Sequence, residues 1–372
     1  LGDVYKRQIS MKIVTIVGAR PNFIKAAAVS RIFAKYAEVK EVIVHTGQHF
    51  DENMSNVFFE EMDIPYPDYN LNVNGLSHGA MTGQMLEGIE SVLMKEKPDW
   101  VLVYGDTNST LAGALAAKKM HIKLAHVEGG LRSNNLDNPE EMNRVIIDRI
   151  SDIIFCPSDS SMENLRKEGI DIWGGKMVMS GDVMCDAARY YMNSSRMPEQ
   201  HIPEKFVLAT IHRAENTDDV KKLNHIFKAL ERISEECPVV IPIHPRTKMK
   251  LDAAGYNFSE SKVCFIPPVG YLEMMYLLKS CEYVICDSGG LQKEAYFSHK
   301  YCVFVHKIES VWIELKENGF LFQANADYNS IMDCVRKVAD NPGSDFNKQL
   351  YGEGKASEVI CEEMIKYRSV EL

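Results

Sequence analysis

The sequence predicts an α/β protein of two Rossmann-like domains, each built on a parallel, doubly wound sheet, with the two sheets facing across a cleft. Three observations predict it. Short apolar, β-rich runs alternate with helix-patterned stretches along the chain. The runs end in Gly, amide or charged residues, as strands do where a parallel sheet gathers its ligands. The 372 residues exceed one ordinary core, and the polar stretch 193–204 separates two series of such units. The expected divisions are a leader at 1–10 outside the fold, a first domain at 11–192, a linker at 193–204, a second domain at 205–354, and a terminal helix within 355–372.

Composition narrows the class. Hydrophobic content of 45% and charged content of 25% are those of a globular protein. A net charge of −10 argues against a general nucleic-acid binder. No apolar run approaches membrane-spanning length, and the expected location is the cytoplasm. The nine cysteines form no CxxC pair, and several, such as Cys286 and Cys302, sit in apolar runs. They are expected as reduced core residues. The 19 methionines are expected to be packing residues.

In chain order, Lys12 to Val17 is the first strand, broken by Gly18-Ala19-Arg20-Pro21-Asn22. Pro21 suits the first turn of the helix that follows, with Arg20 and Lys25 at its mouth. There is no GxGxxG, which argues against a nicotinamide dinucleotide. Glu41 to Thr46 is a strand ending in Thr46-Gly47-Gln48-His49; helices are expected at about 51–62 and 79–95. Trp100 to Tyr104 stops at Gly105-Asp106-Thr107, and an Ala-rich helix follows at 110–119. Ile122 to Val127 ends at Glu128-Gly129-Gly130-Leu131-Arg132. Gly18, Gln48, Asp106 and Glu128 thus cluster at strand ends in the first half. Asn138 caps the next helix, Pro139 opens it, and Glu140 and Arg144, four apart, share a face. Short strands at 152–157 and 176–180 and a helix at about 184–192 complete the half.

The second half repeats the scheme. Phe206 to Ile211 ends in His212-Arg213-Ala214-Glu215-Asn216, and Val239 to Ile243 in His244-Pro245-Arg246. Val263 to Ile266 is followed by Pro267-Pro268 and Tyr271. Tyr283 to Cys286 runs into Asp287-Ser288-Gly289-Gly290, and a helix begins near Leu291. Ser-Gly-Gly between strand and helix leaves bare amides at a helix N-terminus, where the dipole favours a phosphate. Glu294, about one turn inside, is placed for ribose hydroxyls. Cys302 to Val305 is expected as the last strand, and 357–367 as an amphipathic helix. His45 and His49 do not share a helix face and HEXXH is absent, so no metal is expected. A basic set at strand ends in an acidic chain suits an anionic ligand. These residues point to a nucleotide-sugar enzyme and do not separate glycosyl transfer from epimerisation.

The ordered motifs GARPNFIK, TGQH, YGDTNSTLAGALAA, HVEGGLR, PEEMNR, HRAEN, HPR and DSGGLQKEA resemble the non-hydrolysing UDP-N-acetylglucosamine 2-epimerases from Met11 to the final helix. The resemblance implies a two-domain GT-B fold, a terminal helix packed on the first domain, and a homodimer without cofactor. It also implies interconversion of UDP-GlcNAc and UDP-ManNAc for cell-surface polysaccharide synthesis. The C2 proton has no adjacent carbonyl, so the family eliminates UDP to 2-acetamidoglucal and adds it back after protonation on the other face. Position by position, Asp106, Glu128 and Glu140 match the catalytic carboxylates and His212 the catalytic histidine. Arg20 joins His212 on the diphosphate, and Lys25, His244 and Tyr271 are substrate-binding. Ser288, Gly289 and Gly290 match the phosphate loop, Glu294 the ribose contact, and Arg144 a residue expected to orient Glu140 or touch the phosphate.

The stretch His306 to Glu314 departs from the Arg-(Asp/Glu)-Thr-Thr-Glu pattern of the family, and Met274 stands where some members have an aromatic near uracil. Asp51 and Gln84 replace expected residues of a regulatory site, so regulation by substrate is not expected. HTGQHFDENMSNVFFEE, TGQMLEGIE and DSGGLQKEAYF are similar to the branch acting on UDP-2,3-diacetamido-2,3-dideoxyglucuronic acid, where His306 or Lys307 would face the extra carboxylate. UDP-GlcNAc leads because the shared motifs specify the UDP end; a GT-B glycosyltransferase is the rival from another class.

Overall fold

The computed structural model describes residues 11–48, 59, 62–308, 310–341 and 343–369, with the side chains of Arg20, Arg368 and Ser369 outside it. Most of the helix expected at 51–62, with His49 and Asp51, lies outside the described residues. The chain divides into two compact units, residues 1–187 with 351–372, and residues 188–350.

Unit 1 holds a seven-stranded, all-parallel sheet. Its strands are β1 (Met11–Val17), β2 (Val39–His45), β3 (Tyr69–Asn70), β4 (Trp100–Tyr104), β5 (Lys123–Val127), β6 (Ile153–Cys156) and β7 (Lys176–Met179), in the order 3-2-1-4-5-6-7. The central strand β4 is buried along its whole length, which is why it reads as a continuous apolar run. Helices α1 (Arg20–Phe33), α2 (His78–Glu96), α3 (Asn108–Lys119), α4 (Pro139–Ile150) and α5 (Asp159–Lys167) cross between them, and α6 (Val183–Asn193) leads out. On α3 a Cβ at Gly113 would stand 3.1 Å from Ile16 and 3.2 Å from Val103, so glycine lets this Ala-rich helix lie close on the sheet.

Unit 2 holds six parallel strands in the order 10-9-8-11-12-13. These are β8 (Val207–Thr210), β9 (Val239–Pro242), β10 (Cys264–Ile266), β11 (Val284–Cys286), β12 (Cys302–Val305) and β13 (Leu321–Ala324). Its helices are α7 (Ala214–Thr217), α8 (Val220–Ser234), α9 (Pro245–Ala253), α10 (Tyr271–Ser280), α11 (Gly289–Phe297), α12 (Ile313–Glu317) and α13 (Tyr328–Asp340). Cys302–Val305 is therefore not the last strand. The four residues of β13, with Gln323 among them, form an edge strand too short to announce itself as an apolar run. The terminal helix α14 (Ala356–Ser369) packs on unit 1, where the Tyr367 ring meets Trp100 edge-on at 5.2 Å and Glu363 pairs with Lys176 at 2.6 Å.

Strand order reverses between β1 and β4 in unit 1 and between β8 and β11 in unit 2. Loops leaving adjacent strands diverge there, opening a crevice at the strands' carboxyl ends. The motif loops after β1, β4, β8 and β11 all leave from these two points.

One half-buried carboxyl in unit 1 lies away from that crevice. Glu41 on β2 accepts from the Thr15 hydroxyl at 2.5 Å. Burial, with Asp68 adding, pushes its carboxyl up to about 7 against the hydroxyl's opposing effect. A raised folded-state value favours folding below the unfolded value, and that contribution is lost as pH rises through about 7. Glu41→Gln is therefore expected to stabilise unit 1 by roughly 3 kcal/mol at pH 8 and by far less at pH 5, read by urea denaturation at both.

Candidate active site

In unit 1 the end of β1 feeds α1. Its entry is set by the Ala19 amide donating to Asn22 Oδ1 at 3.1 Å, with Pro21 in the first turn. One turn in, the buried Lys25 ammonium forms an ion pair with Glu128 at the end of β5. Glu128 has φ +69°, a left-handed conformation costly for a residue with a Cβ. Its amide donates to Phe155 O at 3.1 Å, which holds that turn. Between them runs Gly105 with φ +66°, where a Cβ would stand 3.2 Å from Lys25 Nζ and 3.3 Å from Glu128 Oε2. The next residue, Asp106, therefore lies beside this pair at the β4 end.

Asp106 is aimed by α4. Arg144 Nη2 meets Asp106 Oδ2 at 2.5 Å, and Asn143 Nδ2 donates to the Asp106 carbonyl at 2.8 Å. The other arm of Arg144 holds Glu141 at 2.8 Å. This differs from the pairing expected between Arg144 and Glu140. Asn138 caps the Glu140 amide at 3.2 Å and the Glu140 side chain is exposed, whereas Glu141, one residue on, turns inward. Burial alone would raise the Glu141 carboxyl; the Ser133 and Asn134 amides and the Arg144 guanidinium outweigh it and hold it below its ordinary range.

A buried polar chain stands behind this loop, formed by residues that the sequence reading quotes or passes over without a role. His126 Nδ1 faces Asp148 Oδ1 at 2.7 Å and its Nε2 faces the Gly105 carbonyl at 2.7 Å. Asp148 also accepts from the Gly130 amide at 3.0 Å and from Arg132 Nη1 at 2.8 Å. Burial opposes its charge, but His126 and Arg132 hold the Asp148 carboxyl below its usual value. One helix, α4, thus grips the Gly105–Asp106 turn directly through Arg144 and Asn143 and indirectly through Asp148 and His126.

In unit 2 the keystone is Asp287, fully buried after β11. Its carboxylate accepts from the His212 amide at 3.1 Å, the Arg213 amide at 2.9 Å and Asn216 Nδ2 at 3.1 Å. That ties the turn after β8 to the start of α11. The His212 side chain is 46% exposed. Crowding by protein lowers its imidazole below the ordinary histidine value, with His244 and Arg213 adding and Asp287 opposing. Ser288 stands at the N-cap position of α11 without a side-chain capping bond, and Gly289 and Gly290 open its first turn. A Cβ on Gly290 would meet nothing within 4 Å, so there is open space beside that turn. Glu294 is buried one turn inside.

The divergent stretch 306–314 straps α11. Trp312 Nε1 donates to the Gly289 carbonyl at 3.2 Å, Lys293 Nζ lies 3.7 Å over the Trp312 ring, and Ser310 bonds Gln292 at 2.5 Å. His306 does not present itself to a ligand: it is 4% exposed, with Nε2 on Arg213 at 2.8 Å. Lys307 lines a cavity of about 460 Å³ beside β13 with Lys316 and Lys337. Nδ1 of His244 is spent capping α9, accepting from the Arg246 amide at 3.2 Å. Tyr271 opens α10, buried edge-on against Tyr191 at 5.5 Å. Arg20 has its side chain outside the described residues.

The sequence pattern of one family, described as UDP-N-acetylglucosamine 2-epimerase, matches residues 31–365. The chain belongs to this family. Among curated members, a UDP-2,3-diacetamido-2,3-dideoxy-D-glucuronate 2-epimerase of Pseudomonas aeruginosa is 48% identical, covering 96% of this chain and 100% of the relative. A UDP-N-acetylglucosamine 2-epimerase of Methanococcus maripaludis is 41% identical, covering 94% and 97%. The crystal structure of the Methanocaldococcus jannaschii UDP-GlcNAc 2-epimerase in complex with UDP-GlcNAc and UDP is similar at TM-score 0.82 and 37% identity, over 96% of this chain and 100% of that one. In this member of the UDP-N-acetylglucosamine 2-epimerase family, the unit 1 crevice carries carboxylates held by cations, and the unit 2 crevice a glycine turn at a helix N-terminus.

Proposed function

We propose that this chain epimerises C2 of a UDP-linked 2-acetamido sugar by eliminating UDP and adding it back. The observation that carries the reading is the pair of cation-held carboxylates at the β1/β4 crevice, Glu128 on Lys25 and Asp106 on Arg144. In the forward half, a carboxylate takes the C2 proton and the C1–O bond to UDP breaks, leaving 2-acetamidoglucal. In the return half, a second group delivers a proton to the opposite face of C2 and the UDP oxygen rebonds C1. The sum is an isomerisation; protons and one leaving group move, and no oxidant is consumed. Asp106, Glu128 and Glu140 share the acid and base duty. Ser288, Gly289 and Gly290 receive the diphosphate on α11, Glu294 the ribose, and His212 with Arg20 the charge of departing UDP. His244 and Tyr271 complete the substrate contacts.

UDP-GlcNAc and UDP-ManNAc are the first substrate pair, on the strength of the motifs that specify the UDP end. A second reading, UDP-2,3-diacetamido-2,3-dideoxyglucuronate, is favoured by the 48% identity to the Pseudomonas relative over its whole length. We also expect a cytoplasmic homodimer serving surface-polysaccharide precursor synthesis. Incubation of the chain with each sugar nucleotide in D2O, read by NMR, tests the reading: deuterium enters C2 of the true substrate and its epimer. Epimer formation with no deuterium at C2 would exclude the elimination route, and product only when an acceptor sugar is added would mark a glycosyltransferase.

A further inference from the structure

The side chain of Arg213 is held in an unusual way. A guanidinium donates and never accepts, so its 2.8 Å contact with His306 Nε2 requires a lone pair on that nitrogen. That tautomer places the ring proton on Nδ1, toward the Ile308 carbonyl at 3.0 Å; the other tautomer accepts from the Ile308 amide on Nδ1 at 3.0 Å and turns its proton toward Glu215 at 3.1 Å. Among the described residues no carboxylate pairs with the Arg213 guanidinium. Asp287 binds its backbone amide, and Glu215 lies 3.1 Å from His306 Nε2 instead. The other arm, Nη2, reaches over the glycine turn: it is the nearest atom, at 3.7 Å, to where a Cβ on Gly289 would stand.

The choice of partner matters. A carboxylate holding Arg213 would cancel its charge and repel an incoming phosphate. An imidazole lone pair fixes the guanidinium and leaves its positive charge available. The ring is itself immobilised, being 4% exposed, bonded to Ile308 and stacked on Phe304 at 5.3 Å.

We propose that Arg213 binds the diphosphate of the nucleotide and that His306 is the positioning residue that aims it over the Ser288–Gly290 turn. This rests on the reading of that turn as the phosphate loop. Arg213 supplies a mobile charge's worth of attraction in a fixed place, beside amides that supply only partial charges. Charge builds on UDP as the C1–O bond breaks, so the same contact strengthens along the reaction.

The test is a double-mutant cycle on UDP affinity, by titration calorimetry on the full chain. Arg213→Ala is expected to weaken UDP about 10- to 100-fold, the loss of a charge-assisted pair. His306→Ala is expected to cost roughly 3- to 10-fold, and the double variant to bind no worse than Arg213→Ala alone. His306→Gln, which keeps an acceptor, is expected to recover part of the loss. If Arg213→Ala melts early, Arg213→Lys keeps the charge without the fork and is expected to fall between wild type and Ala. UDP binding by Arg213→Ala within about twofold of wild type would overturn the proposal, as would additive losses in the double variant. Gly290→Asp separates the two readings by placing a carboxylate at the α11 N-terminus. If it abolishes binding while Arg213→Ala does not, only the Arg213 assignment falls; if it binds UDP as wild type does, the phosphate-loop reading falls with it.

Discussion

Asp106→Asn is expected to lower epimerisation by roughly 10²- to 10⁴-fold and to stop deuterium entry at C2, with folding and UDP affinity kept. The substitution is close to isosteric. Its amide oxygen still accepts from Arg144, now 2.5 Å from the carboxylate, and the Asn143 contact is to the Asp106 backbone carbonyl and survives unchanged. The side chain is 28% exposed, so the lost charge is partly solvated and the stability cost small. What disappears is the capacity to take or give a proton at that place. UDP binding is a fair control because the glycine turn, His212 and Arg213 all lie in the other unit. Measuring C2 exchange separately from net epimerisation locates the defect: loss of both marks proton transfer, whereas exchange at the wild-type rate would remove Asp106 from the chemistry.

The fold was legible because parallel strands covered on both faces must be largely apolar, and β4 and β11 show that run without interruption. The two-residue β3 and the edge strand β13 carry no such signal. The polar residues after the runs were legible as strand-end groups, since each chain break falls at a parallel strand's carboxyl end. Their partners were not. Spacing along a helix suggested Glu140 for Arg144, but the guanidinium reaches Asp106, 38 positions earlier, and Glu141 beside it. His126 and Asp148 are 22 positions apart and meet only once α4 docks beside β5. In the divergent stretch, the sequence offered His306 as a group facing substrate; burial and the bond to Arg213 turn it into support. Sequence spacing governs contacts within one element. Pairings between elements depend on how helices seat on the sheet, which no local pattern encodes.

Asp287→Ala is expected to destabilise unit 2 by roughly 3 kcal/mol or more and to abolish UDP binding even where the protein remains folded. The carboxylate is fully buried and gathers three donors from the turn after β8, the His212 and Arg213 amides and Asn216 Nδ2. Alanine leaves the His212 and Arg213 amides without this acceptor and Asn216 Nδ2 with the Val305 carbonyl alone, and each buried, unsatisfied donor costs about 1–3 kcal/mol. The functional loss follows from the same geometry. His212 and Arg213 stand beside the glycine turn only because Asp287, the residue preceding Ser288, anchors their backbone; without it the two cationic side chains lose their common reference to the first amides of α11. Asp287→Asn refines the test. It keeps the acceptor that all three donors reach, Oδ2, so it is expected to recover much of the stability seen in urea while leaving UDP affinity below wild type, because an NH2 group in the place of Oδ1 turns a donor toward the His212 amide and ring. A melting point lowered together with unchanged UDP affinity in Asp287→Asn would mean that the carboxylate serves the fold alone, and that the turn after β8 finds its place without it.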